Sequence, residues 1–260
     1  MNRRTFLKFG TGGSLAMVMP LGAAESKKAT IELRQFQLRN TVDGMGPRTI
    51  EHLGKSYLPA LRRAGSGPVG LFGSLISPES PYALVLSSYP SVAAWDEAHE
   101  KLRKDKQFER ERDAYRASGQ GYVRMEATLL RGFDSVPDIL VPSRDEKRAP
   151  RIFELRTYES NNIDTLKRKV GMFNEGEIGI FRRLNMLPVF FGETIVGRKM
   201  PNLTYMLAFD DLAAREKAWK AFGSDPGWQK MKAQPGLTDP EIVSNITNSI
   251  VQPLPHSEIR

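Results

Sequence analysis

The chain repeats itself. Arg62-Arg63 and Arg182-Arg183 stand 120 residues apart, and at the same offset Pro68-Val69 falls on Pro188-Val189. Further along, Ala93-Ala94 meets Ala213-Ala214, Ala98 meets Ala218, Asp105 meets Asp225 and Phe108 meets Trp228. Upstream, Glu32-Leu33-Arg34 matches Glu154-Leu155-Arg156 at an offset of 122, so one small indel separates the two registers. Self-similarity over this span predicts two copies of one small fold packed on each other, with any pocket inside or between them. Each copy has about 110 residues, an ordinary size for a small domain.

Residues 1–24 stand outside the repeat. Arg3-Arg4-Thr5-Phe6-Leu7-Lys8 has the form of a twin-arginine core, followed by a weakly apolar, Gly-rich stretch from Phe9 to Ala24. Gly22 and Ala24 offer a cleavage point before Glu25. The stretch is shorter than the ~20 apolar residues of a membrane span and carries Gly12, Gly13, Ser14 and Pro20, which argues against a transmembrane helix. The expectation is export in the folded state by the twin-arginine machinery to the periplasm or another extracytoplasmic compartment. That route carries cofactor-loaded and cofactor-free passengers alike.

Arg3, Arg4 and Lys8 supply three of the net +8 charges. The rest of the surplus is dispersed. From Lys101 to Arg112, basic residues alternate with Asp105, Glu109 and Glu111. This is the pattern of a solvated helix face, not of a nucleic-acid-binding surface. The absence of cysteine excludes disulfides, thiolate nucleophiles and cysteine metal sites.

Each half reads as strand, helix, strand, strand, helix, strand. In the first half, spanning 29–131, strands are expected at Thr30–Leu38, Val69–Ile76, Tyr82–Ser88 and Tyr122–Leu130. One helix starts near Pro47 and runs to about Arg63, and another begins at Val92 after an N-cap at Ser91. In the second half, spanning 151–252, strands are expected at Arg151–Tyr158, Leu187–Val196, Leu203–Phe209 and Glu241–Val251, with helices from about Ile163 to Arg183 and from Leu212. Residues 132–150, rich in proline and charge, read as the linker. Pro59 and Gly179 interrupt the first helix of each half at matching places and predict a bend there. Each half has helices on one sheet face, and the other face needs cover that the second copy can supply. The predicted class is α+β, with two tandem ferredoxin-like (βαββαβ) units forming an intramolecular dimeric α/β barrel.

Glu154-Leu155-Arg156-Thr157-Tyr158 on a first strand comes before Asp210-Asp211-Leu212-Ala213-Ala214-Arg215-Glu216-Lys217-Ala218-Trp219, and Asp225-Pro226-Gly227-Trp228 follows. Three such motifs in this order resemble the NIPSNAP domain, a branch of the dimeric α/β-barrel superfamily. The resemblance covers nearly all of Arg151 to Gln252. The first half is a diverged copy, with Trp95 where the motif has arginine and His99 where it has tryptophan. The resemblance implies the barrel fold and little more, because members mostly lack an agreed activity or catalytic set. Elsewhere in the superfamily stand cofactor-free monooxygenases of polyketide-type phenols and haem-degrading or haem-binding enzymes. A cofactor-free or haem-dependent oxygenase is therefore the alternative to a binding protein.

Residues two apart on a strand share a face, so Glu32 with Arg34 and Glu154 with Arg156 form two charged pairs. If those faces point into the barrel, all four can join one buried network. The pairs then either fix register or anchor a carboxylate or phenolate ligand through arginine. Val92, Trp95, His99 and Leu102 form a helical stripe matched by Leu212, Arg215, Trp219 and Phe222. On that apolar face His99 is either a hydrogen-bonded core residue or, beside Trp95, a general base or axial haem ligand. His52 lies off the Ile50-Leu53-Tyr57-Leu61 stripe and reads as a surface or rim residue. His256 belongs to a proline-rich tail that reads as frayed. No histidines have metal-ligand spacing and no Gly-rich phosphate loop is present, so no metal or nucleotide site is expected. The partners left open are a small organic ligand, another protein, or further copies of the chain.

Overall fold

A computed structural model describes residues 28–41, 43–143 and 149–260. The proposed leader at 1–24 lies outside the described residues. The first half contains β1 (Thr30–Gln37), α1 (Met45–His52), α2 (Leu58–Ala64), β2 (Gly70–Ile76), β3 (Tyr82–Tyr89), α3 (Val92–Lys104), α4 (Lys106–Ala117) and β4 (Arg124–Gly132). The second contains β5 (Ile152–Glu159), α5 (Ile163–Met172), α6 (Ile178–Arg183), β6 (Leu187–Val196), β7 (Asn202–Phe209), α7 (Leu212–Ser224), α8 (Pro226–Lys232), α9 (Asp239–Ile242) and β8 (Asn245–Pro253).

The eight strands close into one antiparallel barrel in the order β1-β3-β2-β8-β5-β7-β6-β4. Within each half the strands follow the ferredoxin-like order, and β2·β8 and β4·β6 join the halves edge to edge. Closure leaves no free strand edge to template further pairing. The expected α+β barrel of two βαββαβ units is what the structure shows. β3 and β7 lie between the barrel interior and the helices, which is why every residue of both is buried.

Side-chain alternation divides the core. Ile31 and Leu33 point into the barrel with Phe72, Leu84, Leu86, Phe153, Phe190, Met206 and Val251. Glu32, Arg34 and Phe36 point the other way, toward the first half's helices, as Glu154, Arg156 and Tyr158 point toward those of the second. The conditional four-charge network is thus corrected. The apolar barrel interior separates the two pairs, and each serves its own sheet–helix layer.

Helix ends follow local chemistry. Ser91, Asn162 and Asp211 accept from the N3 amides of α3, α5 and α7. Asp105 and Asp225 start α4 and α8 in the same way, accepting from two amides each, and they also pair with Arg63 and Arg183 at 2.7 and 2.6 Å. The run from Lys101 to Arg112, expected as one solvated face, is therefore split between two helices at Asp105. The interruption expected at Pro59 and Gly179 is a π-turn just before each residue, Leu53–Tyr57 and Phe173–Glu177. A widened turn leaves room for the Pro59 ring, which a continuous α-helix would press on the carbonyl four residues back.

Two expectations near the C-terminus are corrected. The strand expected from Glu241 begins at Asn245, because Thr238 and Glu241 form a capping box that starts α9. The tail is not frayed. Ile259 is fully buried in the barrel core, the Leu254 and Glu258 amides donate to Leu71 O and Val69 O, and Ser257 Oγ accepts from the Leu71 amide. Each contact ties the end of the chain to the first half. Between the halves, Phe133, Val136 and Ile139 are buried rather than solvated.

Candidate functional site

In the first half, the helix layer does not fill the space above its sheet. A cavity of about 510 Å3 lies between β1, the α1–π-turn helix, α3, α4 and the Gly119–Tyr122 segment, within the usual range for small-molecule sites. Phe36, Leu53, Tyr57, Leu102 and Phe108 supply apolar wall. Four arginines line it, namely Arg34, Arg103, Arg112 and Arg116, and no Asp or Glu is among its described lining residues.

Arg34 forms the cationic floor. Its Nε and Nη2 donate to Glu32 Oε1 at 3.0 and 2.5 Å, and Glu32 is 1 % exposed. Nη2 also lies 2.8 Å from His99 Nε2. His99 Nδ1 is 2.8 Å from the Trp95 carbonyl oxygen. A carbonyl only accepts and a guanidinium only donates, which assigns the proton to Nδ1 and the lone pair to Nε2. Arg34 Nη1 has no partner among the described residues, so that one nitrogen of the guanidinium is left for a ligand.

Tyr57 stands beside it. Its hydroxyl is buried with no hydrogen-bond partner among the described residues, and its ring is 6 % exposed. Burial pushes the phenol well above its ordinary range, so it stays a donor at any physiological pH. His52 forms part of the wall, stacked on Tyr115 at 4.1 Å and 4° and on Phe108 at 5.9 Å. Burial lowers its pKa to about 4, opposed by Glu111, so the ring is neutral near pH 7. Tyr115 is held in turn by Thr49 Oγ1 at 2.9 Å.

In the second half a groove of about 540 Å3 lies farther out, against α5 and α8 beside Met172, Glu175 and Met231, while the inner positions carry bulkier or paired side chains. Lys169 and Glu177 take the places of Thr49 and Tyr57, and form an ion pair of 3.1 Å at 0 % and 2 % exposure. Trp219 replaces His99, and its Nε1 donates to Glu154 Oε2 at 2.6 Å. Arg156 and Arg215 donate to Glu154 Oε1 at 3.0 and 2.6 Å. Phe181, Phe222 and Trp228 complete an aromatic cluster. In the first half, Trp95 holds the place of Arg215 and His99 that of Trp219. A smaller ring and a lost arginine leave the space that the second half closes.

Of the residues singled out from sequence, Arg34 and His99 line the cavity and Glu32 holds Arg34 from behind. Trp95 packs on His99 at 4.7 Å but does not line the cavity, and its Nε1 has no partner. Glu154 and Arg156 lie in the other half and line neither the first-half cavity nor the groove against α5 and α8. His52, read from sequence as a surface or rim residue, is half-buried and lines the cavity. Tyr57, Arg112, Tyr115 and Arg116 were missed. The signal for Tyr57 was its substitution by Glu177 at a matched helical position. Among the described residues, no group of His, Asp or Glu is arranged to hold a metal ion, and no helix is long and apolar enough to cross a membrane.

Eight antiparallel strands closed from two ferredoxin-like halves, with helices outside, define the dimeric α/β-barrel class. Within it, residues 153–258, in the second half, match the family model described as NIPSNAP. A search of curated proteins returns no match. Among solved structures, a putative monooxygenase from Lactobacillus acidophilus aligns with a TM-score of 0.57 at 9% identity, over 86% of this chain and 93% of its own. A putative monooxygenase from Fusobacterium nucleatum aligns at 0.56 with 8% identity, over 88% and 94%. An anthrone oxidase-like protein aligns at 0.52 with 13% identity, over 88% and 92%. At these identities the likeness is one of fold.

Proposed function

We propose that the chain binds a small aromatic organic acid, a carboxylate or phenolate, in the first-half cavity, with its acid group on Arg34 Nη1 and Tyr57 Oη. The observation that carries this reading is a cavity lined by Arg34, with Nη1 unengaged, and by Tyr57, whose buried hydroxyl has no partner among the described residues, with no carboxylate among its described lining residues. Leaving a buried hydroxyl unpaired costs about 1–3 kcal/mol, and an anionic ligand removes that cost while gaining charge-assisted bonds. The two halves divide the labour, the second being filled structure and the first the working copy, as duplication followed by divergence would produce. The twin-arginine residues 3–8 support delivery of the folded protein outside the cytoplasm.

Titrating the full chain with naphthoate tests this by calorimetry. Arg34→Lys keeps a cation beside Glu32 but loses Nη1 and part of the bonding to Glu32 and His99, so affinity falls about tenfold and the melting temperature falls with it. Equal affinity in the variant, or no binding at all, would sink the reading.

The alternative is oxygenation of the bound ligand. It takes its motive from fold neighbours named as putative monooxygenases, and its candidate base is the neutral His52 ring in the wall. A haem-dependent version does not fit the candidate axial ligand. The Nε2 lone pair of His99, which would have to face the iron, is taken by the Arg34 guanidinium, while Nδ1 lies on the Trp95 carbonyl. Oxygen uptake with a panel of phenols separates the two: consumption supports an oxygenase, and none supports binding alone.

A further inference from the structure

The reading above places one acid group on Arg34, yet two further cations of the cavity have no counterpart. Arg112 and Arg116 stand one helical turn apart on α4, hence on one face, and both line the cavity. Arg112 is half-buried, and its Nε is buried with no hydrogen-bond partner among the described residues. Asp113 reaches them only loosely, at 3.5 Å from Arg112 Nη2 and 3.7 Å from Arg116 Nη1, from a position 59% exposed. Arg103, the remaining rim arginine, is paired with Glu100 and is not comparable. In the other half α8 has 7 residues against 12 and ends at Lys232, the counterpart of Arg112, so Arg116 falls on Gly236 beyond its end.

We propose that the natural ligand is an aromatic compound with two anionic groups, one on Arg34 and Tyr57 at the floor and the other on Arg112 and Arg116 at the mouth. This rests on the ligand reading above and specifies its substrate class. A monoanion satisfies the floor and leaves the Arg112 Nε buried and unpaired. A dianion meets both ends, and Phe36, Tyr57, Phe108 and the His52–Tyr115 stack flank the ring between them.

The test compares naphthoate with a naphthalene dicarboxylate whose acids lie at opposite ends of the ring system, by calorimetric titration of the full chain at low ionic strength. The dicarboxylate should bind about tenfold tighter, as expected for one added charge-assisted contact. In Arg112→Gln/Arg116→Gln the ratio of the two affinities should fall to about one. Circular dichroism melts of that variant check the fold, and both substituted positions lie on a partly exposed helix. If the two probes bind equally well to the unaltered chain, the dianion proposal is overturned while the arginine-anchored reading stands. A dicarboxylate advantage that survives the double substitution also overturns it, because the second acid then lies elsewhere. If neither probe binds, both readings fail.

Discussion

Substituting Lys169 separates filled structure from working site most sharply. Lys169 Nζ lies 3.1 Å from Glu177 Oε2 with neither side chain in solvent, and within 5.0–5.5 Å of the ring centroids of Tyr158, Phe173 and Trp228. Lys169→Met leaves a carboxylate sealed among aromatic rings. Breaking a buried pair by removing one partner costs about 3–5 kcal/mol, a large share of the ~5–15 kcal/mol that holds a domain folded. Lys169→Met/Glu177→Leu removes both charges for side chains of similar bulk and is expected to be close to neutral or stabilising. The assay is urea unfolding of the full chain at pH 7, with midpoint and slope read for each variant. Burial pushes the Glu177 carboxyl above its ordinary 4.5, with Lys169 opposing the rise. A raised carboxyl contributes stability below about pH 4.5 and loses it as pH climbs, so the deficit of Lys169→Met should grow from acid toward neutral pH. A single-variant loss under about 1 kcal/mol, or a double variant no better than the single, would refute the reasoning.

Other expectations follow from single contacts. Tyr57→Phe removes a hydroxyl that has no partner in the free protein, so it should keep or slightly raise stability while weakening naphthoate about tenfold by calorimetry. Gly54→Ala sets a Cβ 2.8 Å from His256 Cδ2 and 3.2 Å from the Pro255 carbonyl, where the tail crosses the π-turn. It should destabilise by about 1–3 kcal/mol despite alanine's better helix propensity, with partial recovery in Gly54→Ala/His256→Gly, as read by thermal melts. His52, lowered by burial from 6.5 to about 4, contributes stability above pH 6.5 that is lost as pH falls toward 4. His52→Phe keeps the stack on Tyr115 and should flatten that part of the acid-side decline, a difference read by melts at stepped pH.

Much of the barrel was legible because paired positions keep the same local work. Arg63 with Asp105, and Arg183 with Asp225, each join the C-terminus of one helix to the start of the second helix after it, so those residues stood out at a constant offset. The face of the Glu-Arg pairs was not legible. Ile31 and Glu32 are both buried, so β1 has no solvent-exposed side to orient it. The π-turns left a visible helix breaker but no composition of their own. At the C-terminus, burial of Ile259 depends on β2, nearly two hundred residues away, and a proline-rich tail carries no local sign of it.

The cavity was harder still. His52 lies off its own helix's apolar stripe, and its partners Phe108 and Tyr115 come from α4. Arg112 and Arg116 sit in a mixed-charge run of the kind that usually faces water, and only the packing of α4 against α1 and the π-turn turns them toward the cavity. The capping box at Thr238 and Glu241 was present in the sequence, yet the neighbouring β-branched residues read more strongly as strand.

The most direct test is a crystal of the full chain soaked with a brominated naphthoate, located by the anomalous signal of bromine. One peak in the first-half cavity, with the carboxylate on Arg34 and Tyr57, is the expected result. A peak among Trp219, Phe222 and Trp228 of the second half, or inside the barrel, would contradict the assignment of the working site to the first half.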